Sequence, residues 1–118
     1  KIINLSLMKS LLGVSDSGYT AYCASKGAVN ILSKQVACEV AADNIMVNVL
    51  APTFIETAIN RHQLEDPVFR SELEARIPVC RIGQFRGLMG QMLLFASDAS
   101  QFLTGQAMFI EDGLSSRQ

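Results

Sequence analysis

The sequence predicts an α/β chain built on a parallel sheet, and three observations carry that prediction. Short apolar or β-branched runs at Lys1–Ser6, Ile45–Leu50 and Gln106–Ile110 alternate with helical patterns. The middle run, Ile-Met-Val-Asn-Val-Leu, is apolar almost without a break, as suits a strand covered on both faces. Strand, helix, strand, helices, strand is the order of parallel strands joined by right-handed helical crossovers.

Each element has its own signal. Ile2, Ile3 and Leu5 make the first run a strand, too short for a helix. The stretch from Lys9 through Gly13 to Ser17-Gly18 is small and polar and reads as a loop. From Thr20 to Ala42 the pattern is helical: Ala28, Leu32, Val36 and Val40 recur every four residues, with Val29, Ile31 and Ala37 widening the stripe expected to face the core. Thr20 is the expected N-cap and Asp43-Asn44 the closing turn. Ile45–Leu50 is the second strand, stopped by Pro52. Thr57–His62 and Pro67–Arg76 read as two short helices, and Pro78 breaks the helical pattern after them. Leu88–Ala96 reads as an apolar helix, and Gln106–Ile110 as the last strand before Asp112-Gly113. No repeat, linker or low-complexity tract divides residues 1–118, which read as one partial domain. Three strands make half of a doubly wound sheet, so the sequence is expected to belong to a larger fold.

Composition excludes several classes. With 49% hydrophobic and 18% charged residues, the chain is a compact globular one. A net charge of -1 supplies no basic field for nucleic acid or an anionic membrane. No apolar run approaches the roughly 18–20 residues of a membrane span. Cys23, Cys38 and Cys80 are odd in number and contain no Cys-x-x-Cys pair, which argues against both a disulfide framework and a metal site. Reduced thiols and the lack of a signal-like opening segment predict a cytoplasmic protein.

The chemistry is concentrated in Tyr22-Cys23-Ala24-Ser25-Lys26. A spacing of four places the phenol and the ammonium on one face of a helix. A free phenol ionises near pH 10, so acid/base work at neutral pH calls for a cation that favours the phenolate. By itself this spacing is common on exposed helix faces.

Its surroundings are more specific. Tyr22 through Val29, Ala37-Cys38-Glu39 and Asn44-Ile-Met-Val-Asn-Val-Leu-Ala-Pro52 resemble the short-chain dehydrogenase/reductase family. The resemblance continues through Phe54-Ile-Glu-Thr57, Arg81-Ile-Gly83, Phe95-Ala-Ser-Asp98 and Leu103-Thr-Gly-Gln106, in order and nearly end to end. It implies the C-terminal portion of a doubly wound, NAD(P)-binding Rossmann fold, with an active-site helix, a substrate lid and the last strand. It further implies an oxidoreductase that moves hydride between NAD or NADP and a small alcohol/carbonyl substrate. Tyr22 would be the acid/base; Lys26 would hold the nicotinamide ribose and favour the phenolate. Pro52, Thr53, Ile55 and Thr57 would lie against the nicotinamide half, Ile55 offering backbone groups and Thr57 a hydroxyl. Residues 57–76 would form the lid. The helix carrying Tyr22 would pack on a second copy in a homo-oligomer, and Ala24, Gly27 and Ala28 are small enough for close approach.

Several residues depart from the family pattern. Leu7 stands where the family's second serine polarises the substrate carbonyl, which leaves Ser6 or Ser10 to take that role. Successive strand residues face opposite ways, so Ser6 is the poorer stand-in, whereas Ser10 lies in a loop. Phe85, Arg86 and Gly87 replace the usual proline and acidic residues of a helix first turn. Cys80 and Asp112 occupy positions where glycine is usual. No Gly-x-x-x-Gly-x-Gly phosphate loop occurs, and Gly83, Gly87 and Gly90 follow no strand. These departures sustain a second reading: a non-catalytic fragment or remnant that keeps only packing and oligomerisation surfaces.

The remaining polar residues read blandly. His62, Glu65-Asp66 and Glu72-Leu73-Glu74 are solvated faces, while Met89, Met92, Leu93 and Phe95 are core packing. Ser25 and Ser33 lack a histidine partner and no Gly-x-Ser-x-Gly elbow exists, which excludes a serine hydrolase.

Overall fold

A computed structural model describes residues 1–13 and 18–116. It is an α/β structure, as the sequence predicts. Strands β1 (Ile2–Leu5), β2 (Val47–Pro52) and β3 (Ala107–Ile110) form one parallel sheet in the order β1-β2-β3. Ile2 lies opposite Val47 and Leu5 opposite Leu50, while Val49 faces Ala107 and Pro52 faces Ile110. Helix α1 (Thr20–Val40) connects β1 to β2; α2 (Arg61–Leu64), α3 (Pro67–Arg76) and α4 (Met89–Ala96) lie between β2 and β3.

Both α1 and α4 pack on β1 and β2. Val47 through Ala51 are all buried, so β2 is covered on both faces, which explains its unbroken apolar sequence. Asn48, the polar exception, is only 1% exposed. Its Nδ2 donates to the Leu103 carbonyl at 2.7 Å and its Oδ1 accepts from the Gln106 amide at 3.1 Å. Burial without these partners would be costly, so the amide binds the Leu103–Gln106 turn to the middle of the sheet. Gly105 turns there at φ 69°, its amide on the Val47 carbonyl at 2.7 Å.

The helix faces differ from the pattern read in the sequence. On α1 the buried residues are Ser33 and Ala37, whereas Ala28 is exposed and Ile31 and Leu32 are 66% and 57% exposed. Small residues face the sheet because the helix sits close: a Cβ on Gly105 would lie 3.6 Å from that of Ala37. Asn4 Nδ2 also donates to Ser33 Oγ at 2.9 Å, anchoring the same face to β1. Larger apolar side chains are turned outward. On α4, Phe95 is core, but Met89 and Leu93 are exposed.

Boundaries differ for local reasons. Tyr19, not Thr20, takes the N-cap position, since its carbonyl already accepts from the Cys23 amide at 2.8 Å. Within the expected loop, Met8–Ser10 form a 3-10 turn around the buried Met8, and 14–17 lie outside the described residues. Pro52 is the last residue of β2, not its stop. Val49 and Thr53 donate toward β3, so alternation directs the nitrogen of Pro52 toward β1, whose ladder has already ended at Leu5. Among the described residues, no helix is long and apolar enough to cross a membrane.

Candidate active site

The carboxyl ends of β1 and β2 gather the candidate residues, the edge at which open parallel sheets bind ligands. Lys26 is held twice at the carboxyl end of β1, by Leu5 and by Ser6 just beyond it. Its ammonium donates to the Leu5 carbonyl at 3.1 Å, and its own carbonyl accepts from Ser6 Oγ at 3.0 Å. One turn earlier on α1, Tyr22 is 47% exposed. Its ring stands 6.5 Å from that of Tyr19, over which the Lys9 ammonium sits at 3.5 Å.

The two serines are differently placed. Ser6 is buried and its proton goes to Lys26. Ser10 Oγ donates to the Leu7 carbonyl at 2.6 Å and accepts from Asn30 Nδ2 at 2.7 Å. A hydroxyl has one proton, and in both serines it is directed at a main-chain carbonyl. Leu7 is half-buried and has no side-chain proton to give.

The segment after β2 is tied on two sides. Thr53 donates its amide to Ile110 at 2.9 Å, continuing the ladder beyond Pro52. Ile55 forms an isolated parallel bridge with Gly83: the Glu56 amide donates to the Gly83 carbonyl at 2.9 Å, and the Gly83 amide to that of Phe54 at 3.1 Å. A Cβ on Gly83 would fall 2.5 Å from Ile55 Cδ1 and 3.2 Å from the Phe54 oxygen, so any larger residue would displace the Ile55 side chain and crowd the bridge. On the other side stands Asn60. Its Oδ1 accepts from the Thr57 amide at 2.7 Å, its Nδ2 donates to the Ile55 carbonyl at 2.8 Å, and its amide reaches Thr57 Oγ1 at 3.4 Å. Thr57 and Asn60 thus make a reciprocal capping box, and the Arg61 amide bonds back to the Thr57 carbonyl at 3.0 Å. Regular helix begins only at Arg61, later than Thr57.

Sequence reasoning missed Asn60 and the role of Gly83 in holding Ile55. Thr-x-x-Asn was the available signal for Asn60; Gly83 depends on a pairing across 28 residues, with no local signature. Asp66, read as a solvated residue, caps α3 by accepting from Val68 and Phe69, with Pro67 at the first helical position. His62 is exposed. No group of His, Cys, Asp or Glu suited to a metal occurs among the described residues.

This geometry can be set beside known proteins. Residues 1–115 match the family model described as enoyl-(acyl carrier protein) reductase. The chain is 37% identical over 114 residues to 5-keto-D-gluconate 5-reductase of Escherichia coli, spanning 97% of itself and 44% of that protein. A tropinone reductase homolog of Arabidopsis thaliana is 35% identical over 111 residues, 93% of this chain and 41% of its own. Among solved structures, gluconate 5-dehydrogenase from Burkholderia cenocepacia, in complex with NADP and tartrate, superposes with a TM-score of 0.89 at 38% identity. That match covers 99% of this chain and 45% of the other. A 4-hydroxyisoleucine dehydrogenase complexed with NADH gives 0.90 at 26% identity, covering 99% and 47%. The fold is that of an α/β oxidoreductase family. The chain belongs to the short-chain dehydrogenase/reductase family, and it spans less than half the length of the relatives it matches.

Proposed function

We propose that this chain carries the acid/base half of an NAD(P)-dependent oxidoreductase acting on a small alcohol or carbonyl compound. The observation that carries the reading is Lys26, fixed by Leu5 and Ser6 at the sheet edge one turn from an exposed Tyr22. Relatives whose names describe a keto-acid reductase, a gluconate dehydrogenase and a hydroxy-amino-acid dehydrogenase support the substrate class. Their NADP and NADH complexes support either cofactor.

The residues present fit the nicotinamide-ribose end of such a cofactor. After bonding to Leu5, the Lys26 ammonium keeps further N–H donors for ribose hydroxyls. The Ile55 amide makes no hydrogen bond among the described residues, so it can donate to a ligand amide. Thr57 Oγ1 accepts from Asn60 and retains its proton to give. Pro52 and Thr53 form the adjoining wall. When bound, the cofactor supplies or accepts the hydride. Tyr22 Oη gives its proton to the substrate oxygen during carbonyl reduction and takes it back during alcohol oxidation. Lys26 stabilises the intervening phenolate by its charge. With Ser6 and Ser10 bonded to main chain and Leu7 apolar, Tyr22 is the side-chain donor at the substrate oxygen.

The lack of a free second serine donor among the described residues 1–13 favours the rival reading of a non-catalytic remnant, and the experiment separates the two. The native full-length chain is assayed for NADH and NADPH turnover with ketone and hydroxy-acid substrates. Tyr22→Phe is expected to lower kcat by about 100- to 10,000-fold while cofactor binding persists. Lys26→Ala is expected to weaken binding as well. Unchanged turnover in Tyr22→Phe refutes the mechanism, and cofactor binding without turnover on any substrate supports the remnant.

The exposed Ala24, Ala28, Ile31 and Leu32 of α1 support a homo-oligomer formed through that helix. Free thiols at Cys23, Cys38 and Cys80 suit a cytoplasmic setting, and the net charge of -1 suits neither nucleic acid nor anionic membrane as a partner.

A further inference from the structure

We propose that Asn60 is a positioning residue: it sets the Ile55–Thr57 segment for the cofactor and joins that segment to the lid. The inference rests on the oxidoreductase reading above. Its ground is that one half-buried amide bonds both residues expected to face the nicotinamide, Ile55 through Nδ2 and Thr57 through Oδ1. The two bonds act at different atoms and leave the ligand-facing groups open. Asn60 occupies the Ile55 carbonyl and the Thr57 amide, while the Ile55 amide and the Thr57 hydroxyl proton stay available.

The geometry has two consequences. Gly83 holds the same segment from the opposite side through Phe54 and Glu56, so Ile55 lies between a backbone bridge and a side-chain clamp. A segment held this way is ordered before ligand arrives, and binding need not supply that order. Asn60 also immediately precedes α2, and the Glu56–Arg61 ion pair at 3.8 Å spans the same junction. A displacement of α2 therefore carries Asn60 with it and shifts Ile55 and Thr57. By reciprocity, a ligand that fixes Ile55 and Thr57 biases the position of α2 and the rest of the lid.

The test compares Asn60→Ala and Asn60→Asp with the wild-type full-length chain. Alanine removes both side-chain bonds; aspartate keeps an acceptor for the Thr57 amide but cannot donate to Ile55. The readouts are NADH and NADPH affinity by direct titration, the KM and kcat for cofactor, amide exchange at Thr57, and thermal stability. Net hydrogen-bond strengths predict a cofactor Kd about 10-fold weaker in Asn60→Ala and about threefold weaker in Asn60→Asp. The KM for cofactor should rise with Kd, and Thr57 amide protection should be lost in the alanine variant and kept in the aspartate variant. If Asn60→Ala lowers thermal stability while Kd and KM stay at wild-type values, Asn60 is merely structural and the inference falls. If alanine fails to fold, the aspartate variant decides by the same comparison. Wild-type protein that binds neither NADH nor NADPH overturns the oxidoreductase reading itself, and this inference with it.

Discussion

Replacing Cys80 with glycine should stabilise the protein. Cys80 has φ 51°, in the left-handed region where a Cβ crowds the following carbonyl. That conformation costs a non-glycine residue about 1–2 kcal/mol, and glycine gives back roughly 0.5–1 kcal/mol through its greater freedom when unfolded. Little else is lost. The side chain is exposed, its Sγ is 3.8 Å from the Pro78 oxygen, and the turn bond from the Cys80 amide to Ile77 at 2.8 Å is main chain. The net gain should be about 0.5–1 kcal/mol, read as a higher urea midpoint with an unchanged slope. Two other positions calibrate it. Asn44, at φ 59°, is a residue type that tolerates this region, so Asn44→Gly should gain nothing. Asp112, at φ 52°, tolerates it too and would give up a 3.7 Å contact with Arg81 whose partners are 33% and 66% exposed, so Asp112→Gly should be near neutral. If Cys80→Gly unfolds at or below the wild-type midpoint, or if Asn44→Gly gains as much, the strain argument is wrong.

Asn48→Leu should destabilise by about 1–3 kcal/mol, because it leaves the Leu103 carbonyl and Gln106 amide without their partners in the buried Asn48; a denaturation midpoint equal to wild type would contradict this. Gly83→Ala should cost about 1–3 kcal/mol and weaken cofactor binding, since the new Cβ presses on Phe54 and Ile55, and calorimetry checks both. Leu7→Ser should raise turnover by about 100- to 1000-fold if the second donor is what the site lacks, and steady-state kinetics showing no gain would reject that alignment. Ile31→Glu with Leu32→Glu should shift sedimentation toward monomer, whereas an unchanged assembly would place the interface elsewhere.

Strands and the Tyr22–Lys26 pair were legible because their signals are local: β-branched runs, a spacing of four, and turn residues at Asn44 and Gly113. The departures at Cys80 and Asp112 were legible as well, and both prove to sit at positive φ. The orientation of α1 was not. Hydrophobicity ranks its faces by side-chain size, but close approach to a sheet selects small residues, and Ser33 and Ala37 won over Ile31 and Leu32. Ser6 and Ser10 could be named as candidates from sequence, but not where their protons go: Lys26 reaches Ser6 only through the fold, and the Ser10 bond to Leu7 depends on a 3-10 turn read there as a loop. Gly83 was named within Arg81-Ile-Gly83, but its pairing with Ile55 was not legible, because it is set by the path of the chain between β2 and α4.

The ammonium of Lys26 is held by main chain on β1, the carbonyl of Leu5, while the backbone of Lys26 receives the hydroxyl of Ser6 just beyond the strand. A carbonyl is present whatever side chain stands at position 5, where the leucine itself is 55% exposed. The identity of residues 5 and 7 can therefore drift without turning the lysine. This is a physical route by which a leucine can occupy position 7 while the cation beside it stays in place. Substitution at positions 5 and 7 should leave the placement of Lys26 unchanged, whereas substitution at position 26 removes the contact itself.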